Sequence, residues 1–275
     1  MSIFSSAIQC MSGEYINLDS PDIIKLDVTS ASKGNQVKYY DSVNKRYIKR
    51  QFEYQGKLWK DYMVEHLSSV IGIQLNTNIK IIRQDIVRLS DGSFGVISDD
   101  FAIGYDWVSA FKFSDCSTLV GNIGKSYKVF SDIVNMFNST GLSKDILSEY
   151  LIVMIILDFL LGNEDRHYNN FGVLKNTTTS EYKVAPLFDF GIGLFEHDMK
   201  YSNLNLCDAK KMMDGKPFDR NLLKPFDMIV NVFGVDKIQK ICKDISIPDR
   251  LLFPSELAYS YFLESYDYMK ERLNI

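Results

Sequence analysis

The chain is poor in the residues that announce several common functions. It has three histidines, His66, His167 and His197, and neither His66 nor His197 has ligand-like neighbours, so a zinc site is not expected. The four cysteines (Cys10, Cys116, Cys207 and Cys242) are scattered and form no Cys-x-x-Cys pair, which fits a reducing compartment better than a disulfide scaffold. There is no basic excess. With 31 basic against 35 acidic side chains and a formal net charge of −4, the chain lacks the electropositive face that nucleic-acid binding requires. Long apolar runs are also missing: Tyr150–Leu157 is stopped by Asp158, short of the ~20 residues a bilayer demands. The N-terminus, Met1-Ser-Ile-Phe-Ser-Ser-Ala7, has neither the basic start nor the apolar stretch of a signal peptide. The expectation is a cytoplasmic protein with no nucleic-acid and no membrane partner, with export as an effector without a classical leader left open.

What is present suits an ordinary globular chain. At 275 residues with 46% hydrophobic and 24% charged side chains, it can bury a large core without disulfides or metal. Up to about residue 100 the pattern is strand-rich. Extended runs over Tyr15–Asp27, Gln36–Tyr40, Arg46–Phe52, Ile79–Leu89 and Gly95–Ile97 surround one helical stretch, Lys57–Ile71, ended by Gly72. Beyond Asp100 helices dominate. Ile133–Phe137 and Leu142–Leu161 read as helical, the second apolar almost all round and therefore buried. A hairpin spans Phe171–Leu187, and helical patterns after Ser202 are broken by Pro217, Pro225, Pro248 and Pro254. This predicts an α+β protein of two lobes, a small strand-rich one over residues 1–100 and a larger helical one over 101–275.

The chemistry concentrates in Leu160–Leu174 and Ala185–Gly193. Asp165 and Asn170 stand at i and i+5, and Asp189-Phe190-Gly191 follows after the hairpin. Phosphoryl transfer calls for this set: a carboxylate to take the acceptor's proton, an amide oxygen for a metal, and a second carboxylate to bridge metal and phosphates. The Asp-x-x-x-x-Asn spacing alone says little, since it recurs at Asp158/Asn163 and Asp198/Asn203. Asp165/Asn170 alone sits in a polar loop after a buried helix and ahead of the single Asp-Phe-Gly. Taken singly, Asp165, Arg166 and His167 also fit a solvated loop with a local ion pair, and Asp189 fits a turn cap at Gly191.

The segment Leu161-Gly-Asn-Glu-Asp-Arg-His-Tyr-Asn-Asn-Phe-Gly-Val-Leu174, followed by Ala185-Pro-Leu-Phe-Asp189, resembles the HipA-like Ser/Thr kinases and, within them, the compact CtkA type. The resemblance implies a bilobal fold related to protein kinases and phosphoinositide kinases, with ATP and Mg²⁺ as cofactors and a protein hydroxyl as acceptor. It implies Asp165 as catalytic base with His167 beside it, and Asn170 and Asp189 as metal ligands. Ser30, Ser32, Lys33 and Gly34 become the loop over the phosphates. Lys49, at the family's interval after Gly34, becomes the strand lysine. Ser98, Asp99, Asp100 and Phe101 become the hinge that meets adenine. The family's acid partner for the lysine falls on Asp61, where Glu is usual, and Glu65, one turn further on the same face, is the alternative. The phosphate loop begins so early that the antitoxin-binding subdomain of longer HipA proteins has no room, so an antitoxin partner is not expected. Ser30 and Ser32 are candidate autophosphorylation sites. The alternatives are a pseudokinase used as a nucleotide-binding module, a phosphoinositide or small-molecule kinase, and a metal-dependent hydrolase built on Asp165, His167 and Asp189. The stretch Leu194–Lys200 is not basic, which weighs against an inositol phosphate acceptor.

Overall fold

In the computed structural model, residues 14–26, 36–54, 56–113, 125–194 and 213–275 are described. The first part of the chain builds a six-stranded sheet in the order β1-β7-β8-β4-β3-β2. Its strands are β1 (Tyr15–Ile16), β2 (Ile23–Lys25), β3 (Lys38–Asp41), β4 (Arg46–Arg50), β7 (Asp85–Leu89) and β8 (Phe94–Asp99). All neighbours are antiparallel except the β1–β7 pair. Alternation along the strands serves two faces at once. Ile86 and Val96 pack under Tyr62 and Met63 of helix α1 (Asp61–Gly72), while Ile48, Val87, Leu89 and Ile97 form a second apolar cluster.

Helix α1 starts four residues later than the predicted Lys57. A small hairpin of β5 (Glu53–Tyr54) and β6 (Lys57–Leu58) occupies that stretch, turning at Gly56 with φ +74°. The predicted long strand Ile79–Leu89 is likewise shorter. Only Asp85–Leu89 joins the sheet, and Ile81 instead bridges to Leu187. The six-stranded sheet thus hands residues 80–82 to the segment that leads into Asp189.

The helical part is organised by α4 (Lys144–Leu161), whose residues from Tyr150 to Leu161 are all buried. Ser143 caps its start by accepting the Ile146 N–H. Gly162 ends it in the left-handed region, φ +57°, with Asn163 N–H returning to the Asp158 carbonyl at 2.9 Å. This is the paired-carbonyl closure of a Schellman motif, and a side chain at 162 would strike Met213 and Tyr261. Around α4 pack α3 (Ser126–Asn138), α5 (Leu223–Phe233) and α7 (Glu256–Leu273), with α2 (Ala110–Phe113) and α6 (Val235–Cys242) completing the helices among the described residues. Pro225 does not break a helix as expected. It sits in the first turn of α5, where a backbone N–H has no intrahelical partner to lose.

A three-stranded sheet, β11-β10-β9, joins the two parts: β10 (Gly172–Asn176) and β11 (Tyr182–Val184) form the expected hairpin, and β9 (Tyr105–Ser109) adds to its edge. The β9 strand is not predicted by the sequence pattern, because its pairing with β10 is non-local. The close approach depends on Gly172, where a Cβ would lie 2.2 Å from the Val108 carbonyl oxygen. Among the described residues no helix is long and apolar enough to cross a membrane.

Candidate active site

The turn after α4 places the polar loop. Asn163 donates to the Asp158 carboxylate at 2.7 Å and accepts the Asp165 N–H at 3.2 Å. The Asp158/Asn163 pair, which shares the spacing of Asp165/Asn170, is therefore a structural brace. Arg166 is fully buried rather than solvated. Its guanidinium grips Asp158 through Nε at 3.0 Å and Nη2 at 2.9 Å, donates through Nη1 to the carbonyls of Asn170 and Phe188, and lies 4.4 Å over the Phe190 ring. One buried cation thus fixes the Asp165–Asn170 loop against the strand entering Asp189. Sequence reasoning read Asp158 only as the end of an apolar run and as one member of a recurring Asp-x-x-x-x-Asn spacing. A carboxylate on an otherwise apolar helix signalled that a buried partner was needed.

Asp165 stands free of this brace, its side chain 43% exposed and its Oδ2 4.0 Å from His167 Nε2. Burial raises its pKa, the nearby His167 works against that rise, and Asp189 adds to it. Asn170 donates its amide to the Asp165 carbonyl at 3.1 Å, and its Oδ1 is buried with no hydrogen-bond partner. An orphaned buried amide oxygen suits a hard cation, as does the carboxylate of Asp189. Among the described residues no group of three or more His, Cys, Asp or Glu side chains is placed to hold a metal ion.

Asp189 adopts φ +64°, a conformation costly for a residue with a Cβ. Its Oδ1 accepts from Lys49 Nζ at 2.7 Å. The same ammonium bonds Glu65, whose carboxylate is completely buried and also accepts from Gln84 Nε2 and the Phe190 N–H, each at 3.0 Å. Lys49 thus links β4, α1 and the Asp-Phe-Gly turn. Burial alone would lower the Lys49 pKa, but Asp189 and Glu65 outweigh it and raise it. Burial would raise Asp189, and Lys49 with Lys38 instead holds it well below the usual carboxylate range. Gly191 belongs to this junction, since a Cβ there would lie 3.0 Å from the Glu65 carboxylate.

Asp61 is not the hydrogen-bonded partner of Lys49. Its carboxylate accepts the Phe52 N–H at 2.8 Å and the Gln36 amide, and burial pushes it up to about 6. Located at the first residue of α1, it meets the strand end before it can reach Nζ, whereas Glu65 one turn on reaches it.

A cleft of about 310 Å³ opens beside Lys49 and Asp189. Val96, Ser98 and Asp100 line it along β8 and its exit, with Phe101, Trp107 and Phe188 as an aromatic wall of centroid separations 5.4–5.9 Å. Asp99 does not line it, because the period-two alternation of β8 turns its side chain to solvent. The Asp100 carboxylate accepts from Tyr40 Oη at 3.1 Å and from the Ala102 N–H at 2.9 Å, so it shapes the chain's exit from the sheet. Ser30, Ser32, Lys33 and Gly34 lie outside the described residues, as does 195–200. Sequence reasoning missed Gln84, Trp107, Phe188 and Lys38 as cleft residues. They come from four separate segments with no shared motif, and only the two-residue alternation of Lys38 with Tyr40 on β3 hinted at a common face.

A mostly antiparallel sheet carrying a lysine, a helix carrying its acid, and a helical part presenting a polar loop and Asp-Phe-Gly define a bilobal, protein-kinase-like α+β fold. No family model matches the chain. It is 22% identical over 147 residues to the serine/threonine-protein kinase CtkA of Helicobacter pylori, a match covering 53% of this chain and 43% of CtkA. The crystal structure of the Helicobacter pylori proinflammatory kinase CtkA aligns with a TM-score of 0.61 at 17% identity, covering 94% of this chain and 96% of that one. HipA in a Shewanella oneidensis HipA–HipB–operator DNA complex aligns at 13% identity and a TM-score of 0.42, covering 95% and 73%. The chain resembles the HipA-like kinases of CtkA type and shares the CtkA fold.

Proposed function

We propose that this chain is an ATP- and Mg²⁺-dependent protein serine/threonine kinase of the CtkA type, divided into lobes near residue 100. The observation that carries the reading is the Lys49 bridge, which ties the α1 acid Glu65 to Asp189 beside an aromatic-walled cleft. In kinases the lysine–glutamate pair must be in place, and the aspartate of Asp-Phe-Gly must meet the metal, for transfer. On this reading adenine enters between Val96, Phe101 and Trp107, with the triphosphate directed toward Lys49. Asn170 Oδ1 and the Asp189 carboxylate would hold the metal, which supplies neutralisation of the phosphate charge. Asp165 receives the proton of the acceptor hydroxyl as its oxygen bonds the γ-phosphorus and the bond to ADP breaks. Partial burial raises the Asp165 pKa and makes it a better base, while its remaining exposure leaves room for an acceptor. His167, beside Asp165, stabilises the carboxylate before transfer. Ser98 and Phe101 serve the nucleotide side of the site, and no role at the nucleotide is assigned to the side chains of Asp61 and Asp99.

The test is transfer of labelled γ-phosphate from ATP to the chain itself and to proteins of a cell lysate, with Asp165→Ala and Asp189→Ala as controls. Label transfer lost in both variants supports the reading. ATP binding without transfer by the unmodified chain would favour the nucleotide-binding module, and phosphate release from simple esters without nucleotide would favour a hydrolase.

A further inference from the structure

The acid that meets Lys49 is held by more than the lysine. Glu65 is completely buried, and its two carboxylate oxygens are engaged separately. Oε1 meets Lys49, while Oε2 accepts from the Phe190 N–H and from Gln84 Nε2, each at 3.0 Å. Among the described residues, Lys49 and Gln84 are the side chains that donate to this carboxylate. Gln84 is itself pinned to α1. Its N–H donates to Ser69 Oγ at 2.8 Å, and its carbonyl accepts from His66 Nδ1 at 2.7 Å. Two residues earlier, the Ile82 N–H donates to the Leu187 carbonyl at 2.9 Å, and the Ile82 carbonyl accepts from Ser69 Oγ at 3.1 Å. Residues 82–84 therefore run from the segment entering Asp189 to the helix carrying Glu65.

Packing does not explain a glutamine here. Gln84 is 6% exposed, and its Oε1 is buried with no hydrogen-bond partner. A buried amide oxygen left unpaired opposes folding, and an apolar side chain of similar length would avoid that cost. Turning the amide over gives no relief, because it would set the oxygen against the Glu65 carboxylate. What glutamine supplies, and methionine would not, is an N–H on Glu65 Oε2.

We propose that Gln84 is a positioning residue for phosphoryl transfer, its amide holding Glu65 Oε2 so that Oε1 stays turned to Lys49. The proposal rests on the kinase reading and adds to the lysine–glutamate pair a third member from outside α1 and β4. A carboxylate gripped at one oxygen swings freely about its last bond, whereas donors on both oxygens fix it. The Phe190 N–H shares Oε2 but belongs to the Asp-Phe-Gly turn. Gln84 is tied to α1 through Ser69 and His66, so it orients Glu65 independently of that turn.

The experiment compares the full chain as wild type, Gln84→Met and Gln84→Glu. Gln84→Met should lower kcat for labelled γ-phosphate transfer roughly 10–100-fold, the scale of a small misplacement in a catalytic array, with a smaller change in KM for Mg²⁺–ATP. Gln84→Glu sets two carboxyl groups together, and one of them takes up a proton as pH falls and becomes a donor again. Its rate relative to wild type should therefore rise from about pH 8 to about pH 6, which a purely structural role would not produce. A second readout needs no catalysis: the rate at which an amine-reactive ester modifies Lys49, followed by peptide mapping. In Gln84→Met that rate should rise about fivefold or more, because a loosened ammonium gives up its proton more readily, while Lys38 in the same cleft stays within twofold. Gln84→Met with kcat within twofold of wild type, a Gln84→Glu ratio that does not change with pH, or Lys38 and Lys49 labelling that rise together overturns the proposal and leaves the kinase reading standing. Failure of the wild-type chain to transfer phosphate overturns the kinase reading, and Lys49 labelling then decides alone whether Gln84 holds the pair.

Discussion

The Arg166 brace makes a sharp demand. Replacing Arg166 with Met keeps much of the apolar stem but removes a guanidinium with no exposed surface. The Asp158 carboxylate, 7% exposed, would then keep only the Asn163 amide at 2.7 Å, and the carbonyls of Asn170 and Phe188 would lose donors at 3.1 and 2.7 Å. Removing one member of a buried pair costs roughly 3–5 kcal/mol, because the surviving charge is left desolvated. That is a large share of the ~5–15 kcal/mol typical of a folded domain. Asp158 can lessen the cost by taking up a proton, so the variant should lose stability as pH rises, its folded-state carboxylate pKa being raised above the unfolded value. Removing both charges together, as Asp158→Leu with Arg166→Met, should recover at least half the loss while the Asp165–Asn170 loop loses its tie to Phe188. Urea unfolding followed by circular dichroism reads the stabilities, and γ-phosphate transfer reads the loop. A single variant within about 1 kcal/mol of wild type, or a double variant no better than the single, would refute the view that Arg166 is a buried structural cation.

Three further outcomes follow from the same geometry. Asp165→Asn should lower phosphate transfer by roughly 10²–10⁴-fold, the scale of general-base catalysis, with unfolding shifted by no more than about 0.5 kcal/mol since the side chain is 43% exposed; loss of folding instead would assign Asp165 a structural role. Leu157→Ala, at a fully buried position of α4, should cost about 2–5 kcal/mol in urea unfolding, and a value under 1 would contradict the packing described for that helix. Asp61 is raised from 3.8 to about 6 in the folded chain, so the unfolded chain binds fewer protons in that window and stability falls as pH rises through it. Asp61→Asn should flatten that slope and raise stability at pH 7 by at most about 3 kcal/mol, at ~1.4 per pKa unit, and an unchanged slope would reject the assignment.

Much of the fold was legible because it is local. The apolar helix Leu142–Leu161, the Phe171–Leu187 hairpin and the β3–β4 hairpin are each encoded within a few residues, where backbone preference and burial agree. What was not legible is non-local. Strand β9 exists because Tyr105–Ser109 meets β10 across sixty-odd residues of chain, and residues 79–84 leave the sheet because Ile81 meets Leu187. A two-residue pattern predicts a strand but cannot choose its neighbour.

The candidate site divides the same way. Asp165, Asn170, Lys49 and Asp189 could be picked out from spacing and resemblance, since the loop and the Asp-Phe-Gly turn are contiguous stretches whose order is the signal. Contact could not be read there. Whether Asp61 or Glu65 met Lys49 depended on how α1 lies across β4, and one helical turn decided it in favour of Glu65. The side chain of Asp99 left the cleft through strand alternation, and Gln84, Trp107, Phe188 and Lys38 entered it from separate segments. The sequence by itself determined the chemical groups and their order along the chain. Only the tertiary structure decided their partners, because charge pairing and burial act through space between segments that the chain holds far apart.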